Sequence, residues 1–386
     1  MRVRDFVVVG GGVVGLSVSR ELALRGIDVT LLERDVVEGN AMGAATQASL
    51  GVLSAPTTGK SPFQRLRVLG HQAYPALARA LHEETGTDIG YHVPGSLHLK
   101  TAPPRATARG KIERRYQVPG IEVRWVDEDE LRELLPGPVR DAEPMFHGAL
   151  YLSGEAIVHP PDLARALRLA CERAGVRIRE RVGEVRLRSR EEAVVELESG
   201  ETIAGLTVVL TAGAWSSSLI EDRSDHDLAV RPVRGQAIEV RSSWSAGPNL
   251  RFGVPGAETE YHIIAKGGGR AWVGSTVEDV GFDARVTETG VEELLRAART
   301  VFPGLQASDL MESRVGLRPQ ALRPGGPFLG PLPGYKDVWV ACGHYRSGIH
   351  TGPISASLLV REMLGEETPL DLGPFGVGSS TLRADS

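Results

Sequence analysis

The apolar positions near the start of the chain predict a strand, a glycine turn, a helix and a second strand. Residues 6–9 form a continuous β-branched run, as in a strand buried on both faces of a parallel sheet. Gly10, Gly12 and Gly15 follow with G-x-G-x-x-G spacing, and a helical pattern leads to a Gly C-cap at Gly26. The next apolar run ends at Glu33, roughly 20 residues after the glycines, where a carboxylate can accept hydrogen bonds from a ribose.

Two kinds of pattern then alternate along the chain. Helical periodicity predicts helices over residues 62–85 and 163–171, and buried parallel strands are predicted at 206–210 and 338–341. Antiparallel patterns fill 231–255 and 261–276, with a hairpin at the glycines 267–269. We therefore expect an α/β fold in which a Rossmann-like cofactor domain is interleaved with an antiparallel-sheet substrate domain. The expected cofactor domain comprises 1–85, 150–220 and 325–370; the substrate domain comprises 86–149 and 221–324; and 371–386 is expected to be a flexible tail.

Composition and charge narrow the classes of partner. The 386 residues carry a net charge of −5, so no basic surplus favours nucleic acid. No apolar run has the length of a membrane span, and the strand pattern begins too early for a preceding targeting peptide. Only two cysteines are present, and no His/Cys/Asp spacing suggests a metal site. We expect a cytoplasmic protein that binds small molecules and can form a homo-oligomer.

Two further segments are suited to holding a ligand. Residues 43–53 are almost all small, which lets backbone approach something flat, while Thr46 and Gln47 offer polar groups for phosphate or ring contacts. The strand 206–210 ends in Thr211-Ala212-Gly213-Ala214-Trp215, another place where backbone can approach a ligand at the carboxyl edge of a sheet. The glycine turn by itself is compatible with either NAD or FAD.

Several motifs in order resemble the D-amino-acid oxidase superfamily of flavoproteins, and within it the glycine oxidases of the thiamine pathway and the sarcosine oxidases. The resemblance covers nearly the whole chain. Its motifs are the glycine turn with Glu33-Arg34, residues 45–53, residues 211–215, Arg231-Pro232-Val233-Arg234-Gly235-Gln236, Gly274-Ser275-Thr276, Gly316-Leu317-Arg318-Pro319 and Gly343-His344-Tyr345-Arg346-Ser347-Gly348-Ile349.

The resemblance implies non-covalent FAD rather than NAD, because residues 43–53 and the last glycine loop would have no role in an NAD enzyme. It places the adenosine and pyrophosphate against the glycine turn and Glu33, adenine against the backbone of Val182, and the isoalloxazine ring near Gly51 and Val52. Neither Cys171 nor Cys342 stands where covalently flavinylated relatives attach the cofactor. The implied cofactor residues are Gly10, Gly12, Val13, Val14, Gly15, Glu33, Arg34, Thr46, Gln47, Gly51, Val52, Val182, Ala212, Gly213, Trp215, Gly343, Tyr345, Arg346, Ser347, Gly348 and Ile349.

The same resemblance implies where a substrate binds. Arg318 matches the family position that clamps a substrate carboxylate through two charge-assisted bonds, with Arg346 as a second candidate. Where glycine oxidases tend to have Tyr-Ile-Val-Pro, this chain has His262-Ile263-Ile264-Ala265, with Tyr261 beside the histidine. We therefore count Arg318, His262, Arg346, Tyr261 and Val52 as candidate catalytic residues.

The implied reaction is hydride transfer from the carbon next to a carboxylate to flavin N5. Hydrolysis of the imine then gives glyoxylate or a 2-oxo acid and an amine, while dioxygen is reduced to hydrogen peroxide. The departures around His262 and His350 favour an N-substituted (N-carboxymethyl) glycine over free glycine. Two alternatives remain open: a dehydrogenase of the same fold that uses a quinone or carrier, and a flavin-holding subunit without turnover of its own.

Overall fold

The computed structural model describes residues 4–38, 43–102, 106–135, 146–221, 226–244, 246–257 and 259–378. The described strands are β1 (Arg4–Val9), β2 (Val29–Leu32), β3 (Val52–Leu53), β4 (Ser96–Leu99), β5 (Val123–Val126), β6 (Ala149–Leu152), β7 (Ala156–Ile157), β8 (Arg177–Arg179), β9 (Val185–Leu187), β10 (Val194–Leu197), β11 (Thr202–Leu210), β12 (Val230–Arg241), β13 (Asn249–Gly253), β14 (Glu260–Gly267), β15 (Arg270–Gly274), β16 (Leu310–Ala321), β17 (Phe328–Pro331) and β18 (Val338–Cys342). The described α-helices are α1 (Val13–Ala23), α2 (Ala45–Ala48), α3 (Pro62–Thr85), α4 (Ala106–Arg115), α5 (Glu128–Leu134), α6 (Pro160–Arg173), α7 (Glu288–Arg299) and α8 (Gly348–Met363).

One sheet has the predicted dinucleotide-binding topology. Its main strand order is β17-β18-β11-β1-β2-β8, in which all the pairs are parallel except β17 with β18. Strands β10 and β9 join the same sheet through antiparallel pairing of β10 with β11 and of β9 with β10. Helices α1, α3, α6 and α8 pack against one another beside this sheet, and their apolar side chains share one buried cluster. Because β1 lies between β2 and β11, the carboxyl ends of three neighbouring strands meet around the glycine turn.

The other large sheet runs in the order β16-β12-β15-β14-β13-β4-β6-β5 and is mostly antiparallel. Its longest pair is β12 with β16, whose register joins Val230 to Ala321 and Val233 to Arg318. Helix α7 packs against β12 and β15. The predicted hairpin at residues 267–269 is confirmed, since these glycines join β14 to β15 and all three have positive φ.

The two sheets draw their strands alternately from the chain, which confirms the predicted interleaving of an α/β part with an antiparallel part. Strand β6 belongs to the antiparallel sheet, so a domain boundary at residue 150 would cut through it. We therefore propose a boundary after Leu152 and keep the other boundaries as predicted. Within the described residues, no helix combines the length and the apolar character needed to cross a membrane.

Helical periodicity in the sequence correctly predicted helices α3 and α6. Helix α3 spans the predicted residues, and its first turn is capped by Ser61, whose hydroxyl accepts from the Gln64 amide at 3.3 Å. Helix α6 buries Cys171 completely, as expected for a core residue. His71 Nε2 donates to the Gly154 carbonyl at 2.7 Å, which agrees with a packed rather than a catalytic histidine.

The prediction of a flexible tail from residue 371 is wrong for residues 371–378. Leu372 and Phe375 belong to the same buried cluster as α1 and α8, and Phe375 has no exposed surface. Arg323 donates to the carbonyls of Pro374 and Gly376 at 2.6 and 2.7 Å. The glycine-rich composition suggested fraying, but one aromatic anchor and one arginine hold the segment. Residues 379–386 lie outside the described residues.

This packing predicts that Phe375→Ala destabilises the protein by about 3–5 kcal/mol, because the substitution leaves a cavity in the core. Chemical denaturation of the purified protein measures the change. Leu206→Ala is the matched control, since Leu206 is 61% exposed and its truncation should cost less than about 0.5 kcal/mol. Equal, small effects of the two substitutions would show that the segment does not dock.

Candidate active site

In the turn between β1 and α1, the backbone packs directly against other backbone atoms. Gly10 has φ of +110°, and a Cβ there would lie 2.7 Å from the Thr211 carbonyl oxygen. A Cβ on Gly15 would lie 1.9 Å from the Gly10 oxygen. Gly12 differs, because the nearest atom to a Cβ there is Thr46 Oγ1 at 3.4 Å. Gly10 and Gly15 thus make the turn possible, whereas Gly12 faces open space.

The N-terminus of α1 is free to bind an anion. Gly12 is its N-cap and has no side chain of its own to cap the helix, and the first turn contains no acidic residue. Thr46 accepts from the Val13 amide at 3.1 Å and so holds α2 against this helix end. The positive end of the helix dipole and its free amides suit a phosphate.

Glu33 lies at the end of β2, beside this turn. Its Oε2 accepts from the Gly11 amide at 2.6 Å, and its Oε1 accepts from the Asp35 amide at 3.0 Å. Burial raises the pKa of Glu33, although the two amides act in the opposite direction. The carboxylate is therefore held rigidly in place by backbone groups at the edge of the cavity.

A single cavity of about 850 Å³ runs from the glycine turn to the antiparallel sheet, near the upper end of the range of about 300–1,000 Å³ for small-molecule sites. Most of the predicted cofactor residues line it. These are Gly10, Gly12, Val13, Val14, Glu33, Arg34, Thr46, Gln47, Val52, Ala212, Gly213, Trp215, Tyr345, Arg346, Ser347, Gly348 and Ile349. The individual role of each residue toward a cofactor stays a prediction.

Four predicted cofactor residues do not line this cavity, and each has another structural reason to be where it is. Gly15 serves the turn, as described above. A Cβ on Gly51 would lie 2.1 Å from the Val158 oxygen, so this glycine lets β3 approach the segment before α6. The Val182 amide donates to the Glu33 carbonyl at 3.2 Å, and it is residues 183–186 that reach the cavity wall. Gly343 has φ of +82° and turns the chain after β18.

Arg318 projects into the cavity from β16 and is held by neutral acceptors. Nη1 donates to the carbonyls of Arg234 and Thr276 at 3.2 and 3.1 Å, and Nη2 donates to Ser275 Oγ at 2.7 Å. None of the described carboxylates forms an ion pair with it. Burial, with some help from the nearby charge of Arg346, lowers the pKa of Arg318 to about 10, so the group stays cationic at neutral pH. This cation is positioned to receive an anion.

His262 and Tyr261 point to opposite sides of β14, because successive side chains of a strand alternate. His262 lines the cavity, and burial, aided by nearby Arg251, lowers the pKa of its imidazole to about 3. It is therefore neutral, and its Nδ1 has no hydrogen-bond partner among the described residues. Tyr261 is 3% exposed in the core of the other face, where its hydroxyl donates to Glu293 at 2.7 Å. The prediction of Tyr261 as a catalytic candidate is thus wrong.

Arg346 also lines the cavity, and its charge helps to lower the pKa of both Arg318 and His262. Its Nη2 donates to Thr259 Oγ1 at 3.0 Å, and its guanidinium carbon is 5.9 Å from the centre of the Tyr345 ring. Val52, in β3, also lines the cavity, next to Leu50. Four of the five candidate catalytic residues therefore share one cavity.

Sequence reasoning missed several residues of this site. Gly235 lies under the guanidinium of Arg318, where a Cβ would be 2.0 Å from Nη2. Gly235 belongs to one of the family motifs in the sequence, but only the pairing of β12 with β16 shows why a glycine is needed there. Arg67 and Arg251 also line the cavity. They are separated by nearly half of the chain, and no local pattern marks them.

The observed features fit a long dinucleotide cofactor. The open space before Gly12, the free helix end and the fixed Glu33 carboxylate suit the pyrophosphate and ribose, and residues 212–215 and 345–349 line the rest of the channel. Burial raises the pKa values of Cys171 and Cys342 to about 12, which keeps both thiols protonated. The fold and the site together define a dinucleotide-dependent oxidoreductase.

Comparison with known proteins identifies the cofactor class. A family model described as FAD dependent oxidoreductase (DAO) matches residues 5–362. The chain belongs to this family and is an FAD-dependent oxidoreductase, as its motifs implied.

Three relatives are informative. Glycine oxidase from Geobacillus kaustophilus is 33% identical over 97% of this chain and 96% of its own length, and its crystal structure superposes with a TM-score of 0.83. Glycine oxidase from Pseudomonas aeruginosa is 34% identical over 96% of this chain and 97% of its own length. Iminodiacetate oxidase (IdaA) from Chelativorans sp. BNC1 is 29% identical, with a TM-score of 0.82 over 96% of this chain and 98% of that one.

The contrast between Gly12 and Gly15 gives a prediction. Gly15→Ala should destabilise the apoprotein and weaken FAD binding, because its Cβ would meet the Gly10 oxygen at 1.9 Å. Gly12→Ala should leave the apoprotein stability within about 0.5 kcal/mol but weaken FAD binding about tenfold or more, because the methyl group takes the space needed by the pyrophosphate. Thermal unfolding of apoprotein and titration with FAD measure the two effects. If Gly12→Ala bound FAD normally, the cofactor would have to lie elsewhere.

Proposed function

We propose that this protein oxidises a glycine-like amine with FAD, and that the preferred substrate is an N-substituted glycine. The observation that carries the proposal is Arg318, a buried cation with no carboxylate partner among the described residues, which projects into the cavity that fits the cofactor. The chemistry that FAD supplies when bound is acceptance of a hydride from the substrate's α-carbon and return of the electrons to dioxygen, which becomes hydrogen peroxide.

Arg318 is proposed to fix the substrate by its carboxylate. A guanidinium can bind a carboxylate with two parallel hydrogen bonds, which sets the direction of the α-carbon relative to the cofactor. The Thr276 carbonyl and the Ser275 hydroxyl hold the guanidinium plane before substrate arrives, so little ordering is needed at binding. Arg346 supplies a second positive charge nearby.

His262 is proposed to contact the substrate amine region as a neutral hydrogen-bonding group. With a pKa near 3 it carries no charge between pH 5 and 8, so it does not repel an ammonium or bind a carboxylate as a cation. A substrate amine that binds unprotonated needs no further base for hydride transfer. The remaining cavity residues would position the cofactor as assigned from the sequence.

Two considerations favour an N-substituted substrate over free glycine. The cavity continues beyond Arg318 and His262 to residues of α3 and β13, which leaves space for a group attached to nitrogen. One similar structure is an iminodiacetate oxidase by its title. For a substrate R–NH–CH2–COO⁻, one dioxygen and one water are consumed, and R–NH2, glyoxylate and hydrogen peroxide are formed.

The proposal predicts that the holoenzyme's flavin is bleached anaerobically by N-substituted glycines faster than by free glycine, and that air then yields one peroxide for each amine oxidised. Stopped-flow absorbance with glycine, sarcosine, iminodiacetate and D-alanine measures the first, and a peroxidase-coupled assay measures the second. Bleaching without peroxide in air would indicate a dehydrogenase that uses another acceptor. No bleaching by any of these amines would overturn the proposed function.

A second prediction concerns the carboxylate clamp. Arg318→Met should retain FAD but lower kcat/KM for every carboxylate substrate about 100-fold or more, because a charge-assisted pair is lost. Gly235→Ala should have a similar effect in weaker form, since its Cβ would displace the guanidinium. Gly253→Ala, where a Cβ meets nothing within 4 Å, is the control and should behave as wild type. Unchanged turnover by Arg318→Met would remove the clamp from the mechanism.

A further inference from the structure

The cavity extends past Arg318 into a region that the reaction at the α-carbon does not use. We call this region the outer chamber and define it by Thr57, Arg67, His98, Tyr116, Glu155 and Arg251, all of which line the cavity. These residues come from the loop before α3, from α3, from β4, from the end of α4, from the segment between β6 and β7, and from β13. The outer chamber is thus assembled from distant parts of the chain.

Most charged groups around the outer chamber already have partners. Arg251 Nε donates to Glu260 Oε2 at 2.6 Å, and Lys100 Nζ lies 3.7 Å from the other oxygen of Glu260. Glu155 is 2% exposed and accepts from Asn249 Nδ2 at 3.2 Å. His98 is a neutral imidazole, because burial lowers its pKa to about 3.

Arg67 is different. It lies one turn before His71 on α3 and is only partly exposed, yet its guanidinium forms no hydrogen bond or ion pair with any described residue. Removal from water lowers its pKa; the nearby positive charges of Arg115 and Arg251 act in the same direction, while Tyr116 and Glu155 act in the opposite direction. A guanidinium in such a place loses hydration, and no described carboxylate forms an ion pair that would compensate the loss.

We infer that the outer chamber binds an acidic group carried on the substrate's nitrogen, with Arg67 as its principal ligand. The inference rests on the proposed function and names the chemical class of R: an alkyl chain ending in a carboxylate. Such a group supplies the missing counter-ion to Arg67, whereas an uncharged chain would leave that cation unpaired. The substrate would then be held at both ends, with Arg318 on the glycyl carboxylate and Arg67 on the distal one.

This substrate class also determines which products are formed. Oxidation at the glycyl carbon of an N-carboxyalkyl glycine releases glyoxylate, and the amine that leaves is itself an amino acid. For R equal to CH2–COO⁻, the amine product is glycine. The distal carboxylate takes part in no bond change, so Arg67 acts on specificity and positioning rather than on the hydride transfer.

A different explanation for Arg67 is that it only neutralises buried Glu155. Desolvation raises the pKa of Glu155 to about 7 even though the charges of Arg251 and Arg67 act in the opposite direction, and no ion pair is formed between Glu155 and Arg67. Under that explanation, replacing Arg67 would destabilise the fold and weaken all substrates alike. Under our proposal, replacing Arg67 would weaken the binding of only those ligands that carry a second carboxylate.

The experiment uses the FAD-loaded enzyme and the substitutions Arg67→Met, Arg67→Lys and Arg65→Met. Arg65 lies exposed on the same helix two residues earlier, outside the cavity lining, and is the matched control. Anaerobic flavin reduction is followed with iminodiacetate, with its neutral amide analogue N-(carbamoylmethyl)glycine, and with sarcosine. Calorimetric binding of oxydiacetate and methoxyacetate, which have two and one carboxylates and no oxidisable amine, gives an equilibrium readout independent of turnover.

We expect Arg67→Met to weaken the binding of iminodiacetate and oxydiacetate about 10- to 100-fold. The binding of the amide analogue, sarcosine and methoxyacetate should stay within about twofold of wild type. Arg67→Lys should recover part of the lost affinity for the ligands with two carboxylates. Arg65→Met should match wild type. Equal losses for one- and two-carboxylate ligands, or no loss for either, would overturn the role of Arg67. Failure of every amine to reduce the wild-type flavin would instead overturn the proposed function, and oxydiacetate binding would still report on the chamber.

Discussion

The contact between the turn after β1 and the end of β11 is the constraint on which the rest of the site depends. Thr211 Oγ1 donates to the carbonyls of Val9 and Gly10 at 2.8 and 3.0 Å, and Gly10 and Gly15 have no room for a side chain beside it. This contact fixes the turn that leads into the N-terminus of α1, and the residues of the turn and of this helix end line the cavity. Without it, the strands would still form a sheet, but the helix end would not be fixed at the cavity wall. A cofactor bound there is held mainly by backbone, which tolerates little movement.

The opposite end of the cavity depends on strand register and on charge. The pairing of β12 with β16 places Val233 opposite Arg318 and leaves Gly235 beneath the guanidinium. A shift of one residue would turn Arg318 to the other face of the sheet, because side chains alternate along a strand. The surrounding acceptors are neutral, so the geometry of the guanidinium is fixed while its charge stays uncompensated. That combination favours an anionic ligand more than any single contact does.

Burial keeps the histidines of the cavity neutral, so the positive charge of the cavity at neutral pH comes from arginines. Desolvation lowers the pKa values of His98 and His262 to about 3, with nearby arginine charges acting in the same direction, and lowers the pKa of His344 to about 4. The cavity therefore combines the backbone dipoles at α1, the neutral surface of Leu50 and Val52, and a region of guanidinium groups. This combination matches a cofactor with phosphates and a carboxylate substrate.

Much of this arrangement could be predicted from local patterns, because glycine spacing, helical periodicity and ordered family motifs are properties of short segments. They predicted the α/β part, helices α3 and α6, the cofactor turn and Arg318. Contacts between distant segments decided the rest. Tyr261 and His262 are neighbours in sequence, and only the packing of β14 shows which of them faces the cavity. The docking of Phe375 and the close approach of Gly51 to Val158 depend in the same way on residues far apart in the chain. So does the lack of a hydrogen-bond or ion-pair partner for the Arg67 guanidinium among the described residues. Sequence thus determined which chemical groups are available, whereas the tertiary structure decided which of them are buried, paired or free to bind.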